Sequence, residues 1–269
     1  MGIYLPLQPP LLQNELQDSD YRYREFLPSK GLESHVACYW TVEFNLSDNS
    51  KLHRIIPDGC VDIIFDLRAS SFSKGAFVAG LMTTFETINL TRNYSLFGIR
   101  FFSDKARRFL RYPVSEMIGY RVFLEDLWGK EVEFIMEEVQ TANEVSEIIE
   151  QVEHLLLKQL FRSESQSDQL LQWSMQYMYA SQGMLTVRAL AEELSYSERH
   201  VRRIFQKELG VGPKELLGII QFQSLLQELY MDTSSLFTDM AVKYGYYDQP
   251  HFIHNFKRFY GLAPKQVFK

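Results

Sequence analysis

Tyr244-Gly-Tyr-Tyr-Asp-Gln-Pro-His-Phe-Ile-His-Asn-Phe-Lys-Arg-Phe-Tyr-Gly-Leu-Ala-Pro264 reads as a glycine turn, a capped helix and a second glycine stop. Gly245 supplies the positive φ that a tight turn between helices needs. Asp248 stands where its carboxylate accepts from the first free N–H groups of the next helix, and Pro250 falls in the first turn, where a missing donor costs little. Phe252, Phe256 and Phe259 recur at helical spacing and define one buried face, leaving His251, His254, Asn255 and Arg258 to point elsewhere. Gly261 and Pro264 end the helix.

The same unit occurs earlier in the chain. Phe205, Gly210, Pro213 and the cap Ser197 recur as Phe256, Gly261, Pro264 and Asp248, each 51 residues later. Ala191 and Tyr196 recur as Ala241 and Tyr246 after 50, so one residue is inserted in the second turn, close to Tyr247. A doubled helix-turn-helix is a stronger signal than a single one. In the first copy, Gln169 to Ser181 is a leading helix, Thr186 caps a second, and Ser197 caps a third that runs to Gly210. On that third helix Val201, Ile204 and Phe205 share one side. Arg199, Arg202, Arg203 and Gln206 fall within about 100° of one another on the opposite side. Pro213 to Tyr230 is a connecting helix with Leu216, Leu217, Ile220 and Leu225 for packing.

The 269 residues suit two domains, each able to bury a core. No apolar run reaches the roughly 18 residues of a membrane span. The proline-bearing N-terminus lacks the pattern of a signal peptide. Cysteine appears only at Cys38 and Cys60, which suits a reducing cytoplasm. The net charge of −6 is unpromising for a nucleic-acid partner, but it is uneven. Eleven Lys/Arg face ten Asp/Glu from Asp168 onward, leaving 17 against 24 for residues 1–167. Local placement of positive charge therefore matters more than the total.

Residues 1–130 read as β-rich. Tyr23 to Leu27, His35 to Leu46, Leu52 to Pro57, Val61 to Leu67, Ala76 to Leu81, Thr84 to Leu90 and Tyr94 to Phe102 have strand composition. Ser47–Ser50 and Pro57-Asp58-Gly59 are turn signals. This spacing predicts an antiparallel barrel or sandwich, and with the helical C-terminal half an α+β chain of two domains. Ser103 is a candidate N-cap for a helix to Arg111, Pro113 opens a short helix through Ile118, and Leu124 to Trp128 is a further turn. Residues 131–161 read as helical. Their stripe through Val145, Ile149, Val152 and Leu156 packs on its own sheet, forms a dimer seam, or does both. Residues 162–168 are a polar linker, and 169–269 form the C-terminal domain.

Residues 170–268 resemble the AraC/XylS-type DNA-binding domain, most closely in Ala241-Val-Lys-Tyr-Gly-Tyr-Tyr-Asp-Gln-Pro-His-Phe-Ile-His-Asn-Phe-Lys-Arg-Phe-Tyr-Gly-Leu-Ala-Pro264. The resemblance implies a transcription regulator, either an activator or a repressor. Two recognition helices would enter successive major grooves of double-stranded DNA. Arg199, Arg202, Arg203 and Gln206 would read bases in one groove, where an arginine fork matches guanine O6 and N7, and Gln249, His251 and His254 in the other. One of the two histidines could instead hold the turn. Ser197, Lys207, Asn255, Lys257 and Arg258 would meet phosphate. His254 stands where this family frequently has arginine, and the connecting helix lacks the arginines usual there, which implies a shallower salt dependence.

Residues 22 to 130 resemble a domain of uncharacterised function often found ahead of such DNA-binding domains. The matching pieces are Arg54-Ile-Ile-Pro-Asp-Gly-Cys-Val-Asp-Ile-Ile-Phe65, Phe77-Val-Ala-Gly80, Leu96-Phe-Gly-Ile-Arg-Phe-Phe102 and Leu124-Glu-Asp-Leu-Trp-Gly129. A β-barrel-like module is implied and no chemistry. A homodimer is expected, with a small-molecule effector and RNA polymerase as further candidate partners. The alternatives are a metal-binding module using the ligand-type residues His35, Cys38, His53, Asp58, Cys60 and Asp62, which lack zinc-type spacing, or a module that binds only protein. No catalytic motif, cofactor or metal site is expected, and the chain does not read as an enzyme.

Overall fold

The structure, a computed structural model, describes residues 4–12, 19–46, 51–162, 168–231 and 237–268. Its strands are Tyr21–Phe26 (β1), Val36–Phe44 (β2), Lys51–Ile55 (β3), Cys60–Asp66 (β4), Ala76–Ala79 (β5), Glu86–Leu90 (β6), Tyr94–Phe102 (β7) and Arg121–Phe123 (β8). Six form one antiparallel sheet in the order β1-β2-β7-β4-β5-β8, while β3 and β6 form a separate ribbon. The N-terminal domain is thus two antiparallel sheets with trailing helices. The Pro57-Asp58-Gly59 turn does not close a hairpin; the chain changes sheets there, because β3 pairs with β6 and β4 with β5 and β7.

The near-continuous apolar run of β2 follows from burial on both faces. Cys38, Trp40, Val42 and Phe44 join Tyr21, Tyr23 and Ile64 on the side toward the ribbon. Val36 and Tyr39 join Ile63, Phe97, Ile99 and Phe101 on the side toward the helices.

Pro9–Leu12 (α1) lies in the N-terminal lead; Ser103–Leu110 (α2), Leu124–Trp128 (α3), Glu131–Thr141 (α4) and Val145–Arg162 (α5) follow the sheet. Several expectations need correction here. Ser103 is the first residue of α2 and not its cap; Phe102 precedes the helix, and the buried Ser103 hydroxyl has no hydrogen-bond partner. Leu124–Trp128 is a short helix, whereas the helix after Pro113 is a single 3-10 turn, Val114–Met117. Residues 131–161 are two helices, because Ala142 is extended (ψ 136°) and the Glu147 carboxylate accepts from Asn143 N at 2.8 Å, starting a new helix. Val152 and Leu156 are 1% and 0% exposed inside this chain's own core, with Val145 and Ile149 half-buried beside it. In this conformation the inner residues of the stripe pack at home, with its half-buried edge at Val145 and Ile149. Ser47–Ser50 and linker residues 163–167 lie outside the described residues. Asp168 is a helix cap, its carboxylate accepting from Leu170 N at 2.9 Å.

The C-terminal domain contains Gln169–Ala180 (α6), Val187–Glu193 (α7), Glu198–Leu209 (α8), Pro213–Met231 (α9), Phe237–Lys243 (α10), Gln249–Tyr260 (α11) and Pro264–Val267 (α12). Connecting helix α9 is buried nearly all round, through Leu216, Ile219, Ile220, Phe222, Leu225, Leu226 and Leu229, as expected of a central post. The Gln223 side chain, 0% exposed, donates to Leu7 O and Pro57 O and accepts from Leu7 N. A helix that meets the N-terminal domain this way has little free surface for the arginines missing from its sequence. The apolar core runs without interruption from the helix side of the large sheet into this domain.

Candidate nucleic-acid interface

The two helix-turn-helix units share their backbone hydrogen bonds as well as their residues. Tyr196 N donates to Ala191 O, and Tyr246 N to Ala241 O, each at 2.9 Å. Ser195 and Gly245 occupy the same left-handed position, with φ of 58° and 69°. Ser197 Oγ accepts from His200 N at 3.2 Å, and Asp248 Oδ1 from His251 N at 2.7 Å. Helices α8 and α11 both end at a left-handed glycine, Gly210 or Gly261. The second unit carries one extra residue, Tyr247, which is 93% exposed.

On α8, Val201, Ile204 and Phe205 are buried while Arg199, Arg202, Arg203 and Gln206 are all exposed. Arg202 donates to Glu198 at 3.0 Å, and Arg203 lies 3.1 Å from His200 Nδ1, whose ring stacks on Tyr196. Such exposed pairs are worth about 0–1 kcal/mol, so they orient the arginines without holding them back from a stronger acceptor. Gln206 donates to Gly210 O at 3.0 Å, near the far end of the helix. That end is docked on the N-terminal domain. Buried Glu208 pairs with Arg107 of α2, and Ser115 Oγ donates to Lys207 O at 2.8 Å. Burial alone would raise the Glu208 carboxyl; hydrogen bonds from Lys207 and Arg107 hold it below its usual range. The Lys207 ammonium remains largely exposed, 3.0 Å from Glu208.

On α11, Phe252, Phe256 and Phe259 are 1%, 0% and 2% exposed; Phe256 and Phe259 pack on Phe222 of α9, and Phe252 packs on Phe256. Gln249, His254 and Lys257 are exposed on the outer side. His251 is different. Tyr247 N donates to its Nδ1 at 3.4 Å, the Asn255 amide lies 3.0 Å from its Nε2, and its ring meets Tyr246 edge-on. In this conformation the exposed His251 ring is joined to the turn and to Asn255. Arg258 is tied to Glu215 of α9 and lies over the Phe259 ring, so Lys257 is the less encumbered cation.

The remaining ligand-type residues gather elsewhere. Cys38, Asp58, Cys60 and Asp62 surround Arg100, which is 3% exposed. Burial pushes both thiols well above their ordinary range. His53 Nδ1 pairs with the Tyr21 hydroxyl at 2.8 Å, and His35 packs edge-on against Phe109. Among the described residues, no three such groups are arranged to hold a metal ion, and no helix is long and apolar enough to cross a membrane. Sequence reasoning missed Tyr4, Gln8, Glu208 and Gln223, whose partners lie 54, 48, 101 and 216 residues away. No local signal marks such contacts.

Residues 190–269 match the helix-turn-helix domain family, and residues 24–123 match a domain of unknown function (DUF6597). The chain is 31% identical over 82 residues to the lactose operon transcription activator of Staphylococcus xylosus, covering 30% of this chain and 29% of that one. It is 32% identical over 83 residues to an uncharacterized HTH-type transcriptional regulator of Haemophilus influenzae, covering 31% and 28%. The match thus spans less than a third of either relative. Among solved structures, the C-terminal domain of AraT, a response regulator from Geobacillus stearothermophilus, is 28% identical, with a TM-score of 0.35 over 38% of this chain and 86% of that one. ToxT from Vibrio cholerae O395 is 15% identical, with a TM-score of 0.40 over 93% and 98%.

Proposed function

We propose that this chain, which carries an AraC-type helix-turn-helix domain behind a DUF6597 domain, is a sequence-specific DNA-binding transcription regulator. The observation that carries the reading is the exposed face of Arg199, Arg202 and Arg203 on α8, on a helix whose other side is buried. Guanidinium forks on a rigid helix suit guanine edges, each good pair being worth about 1–3 kcal/mol of discrimination. Helix α11 offers Gln249 and His254 with Lys257, a weaker set, so most sequence reading falls to the first unit. Lys207 and Lys257 supply phosphate contacts that set register. The N-terminal domain is the sensing part, since its turn at Pro57 is bonded to α9, the helix that joins the two units.

The test is to map genomic binding sites for the wild type and for Arg202→Ala/Arg203→Ala. The double variant is expected to lose preferred sites while its thermal stability stays close to wild type, both side chains being exposed. Unchanged site occupancy would overturn the assignment.

A further inference from the structure

Three separated stretches of the N-terminal domain meet in one cavity. They are those containing Asp58 and Asp62, Phe77, and Arg100, the same stretches that carry its resemblance to a known domain. The cavity, about 320 Å³, lies between the large sheet and the β3–β6 ribbon. That is near the lower end of small-molecule pockets. Trp40, Tyr23 and Phe77 are aromatic residues at its sheet side, with Tyr23 and Trp40 stacked at 6.3 Å.

Its charge is unbalanced at the floor. The Arg100 guanidinium has three carboxylates around it, Asp58 at 3.0 Å, Glu25 at 3.2 Å and Asp62 at 3.3 Å. Arg100 is 3% exposed and the three acids 13%, 21% and 16%, so one cation faces three anions where water screens little. Burial together with the Asp58 charge pushes the Asp62 carboxyl up to about 6, although Arg100 opposes it. A second positive group would relieve that excess, and aromatic faces favour cations as well as flat rings.

The floor is also joined to the DNA-binding domain. Asp58 Oδ2 accepts from Gln8 Nε2 at 2.9 Å, and Asp58 O accepts from the hydroxyl of Tyr4, whose ring stacks on Tyr179 of α6 at 4.5 Å. Next to it, Pro57 O accepts from Gln223 of α9 at 2.8 Å.

Resting on the regulator reading above, we propose that this cavity binds a small aromatic amine. Its ammonium is recognised by Asp58 and Asp62 and its ring by Trp40 and Tyr23. Binding reaches the DNA-binding domain through the Pro57-Asp58-Gly59 turn.

The purified full chain is titrated with phenethylamine, 2-phenylethanol and phenylacetate, three probes of matched shape and different charge. Melting temperature and tryptophan fluorescence are read, with affinity for a mapped DNA site measured alongside. Phenethylamine is expected to raise the melting temperature and to change DNA affinity, with the alcohol at least tenfold weaker and the acid inactive. Asp62→Asn should abolish the preference for the amine. Because Asp62 also pairs with Trp40 and Arg100, Ile88→Trp, which fills the cavity from the ribbon, is the second variant and should block binding in a folded protein. No response to phenethylamine, an equal response to the alcohol, tighter binding of phenylacetate, or undiminished amine binding in Ile88→Trp overturns the proposal. Site-specific DNA binding without amine binding sinks this inference alone; amine binding without site-specific DNA binding sinks the regulator reading.

Discussion

Arg202 and His251 show what a single residue's position in sequence reveals. The exposure of Arg202 was legible from helical spacing, because its direction depends on the few residues around it. The role of His251 was open between a base contact and support of the turn. The inserted Tyr247 brings a backbone N–H to 3.4 Å from the imidazole, a contact that favours support, while the ring itself stays exposed. His53 carries a testable consequence of burial. Burial, aided by Arg121, holds its imidazole down to about 4, against 6.5 for a free one. Between those values the unfolded chain takes up a proton that the folded chain refuses. Its contribution to stability is therefore lost as pH falls from 6.5 toward 4, by at most about 1.4 kcal/mol per pH unit. Asp62 has the opposite sign: its carboxyl, held up to about 6, protonates in the folded chain first, which favours folding as pH falls through 6. That opposing slope is common to wild type and variant. His53→Gln, which keeps a partner for the Tyr21 hydroxyl, should show a flatter fall of melting temperature between pH 6.5 and 4. Parallel curves would show that His53 is not the group responsible.

Helices of the C-terminal domain were readable because their starts and stops are local. Thr186, Ser197 and Asp248 each cap the helix that follows them, and Gly210 and Gly261 end theirs. The long helix expected over 131–161 failed for a similarly local reason, since Asn143 and Glu147 form a cap inside an otherwise helical pattern. Two glycines separate backbone strain from packing. Gly210 and Gly245 both have φ of 69°, so alanine at either adopts a left-handed backbone costing about 1–2 kcal/mol. At Gly245 an added Cβ meets nothing within 4 Å, whereas at Gly210 it comes within 2.3 Å of Ile118 Cδ1 and 3.0 Å of Ser115 Cα. Urea unfolding should rank Gly210→Ala as the more destabilised by at least about 1 kcal/mol. Equal midpoints would mean that the contact between α8 and the N-terminal domain yields freely.

For the molecule as a whole, the joint between domains rests on buried polar groups as well as on apolar contact. Replacing Gln223 by leucine leaves Leu7 N–H, Leu7 C=O and Pro57 C=O without their partner, each costing about 1–3 kcal/mol if it stays dry. Gln223→Leu should lower the melting temperature and speed hydrogen exchange at the Leu7 amide, while amides in the middle of α9 stay protected. Unchanged exchange at Leu7 would show that the N-terminal lead is held by other contacts. The sequence by itself determined the doubled unit, its caps and the arginine face, because each depends on residues within a turn or two of one another. Tertiary structure decided that β3 and β4 part company at Pro57, that the stripe of α5 is spent on this chain's own core, and that Asp58, Asp62 and Arg100 share a cavity floor. Those outcomes depend on partners tens to hundreds of residues apart, where neither periodicity nor composition carries information about which chain segments meet.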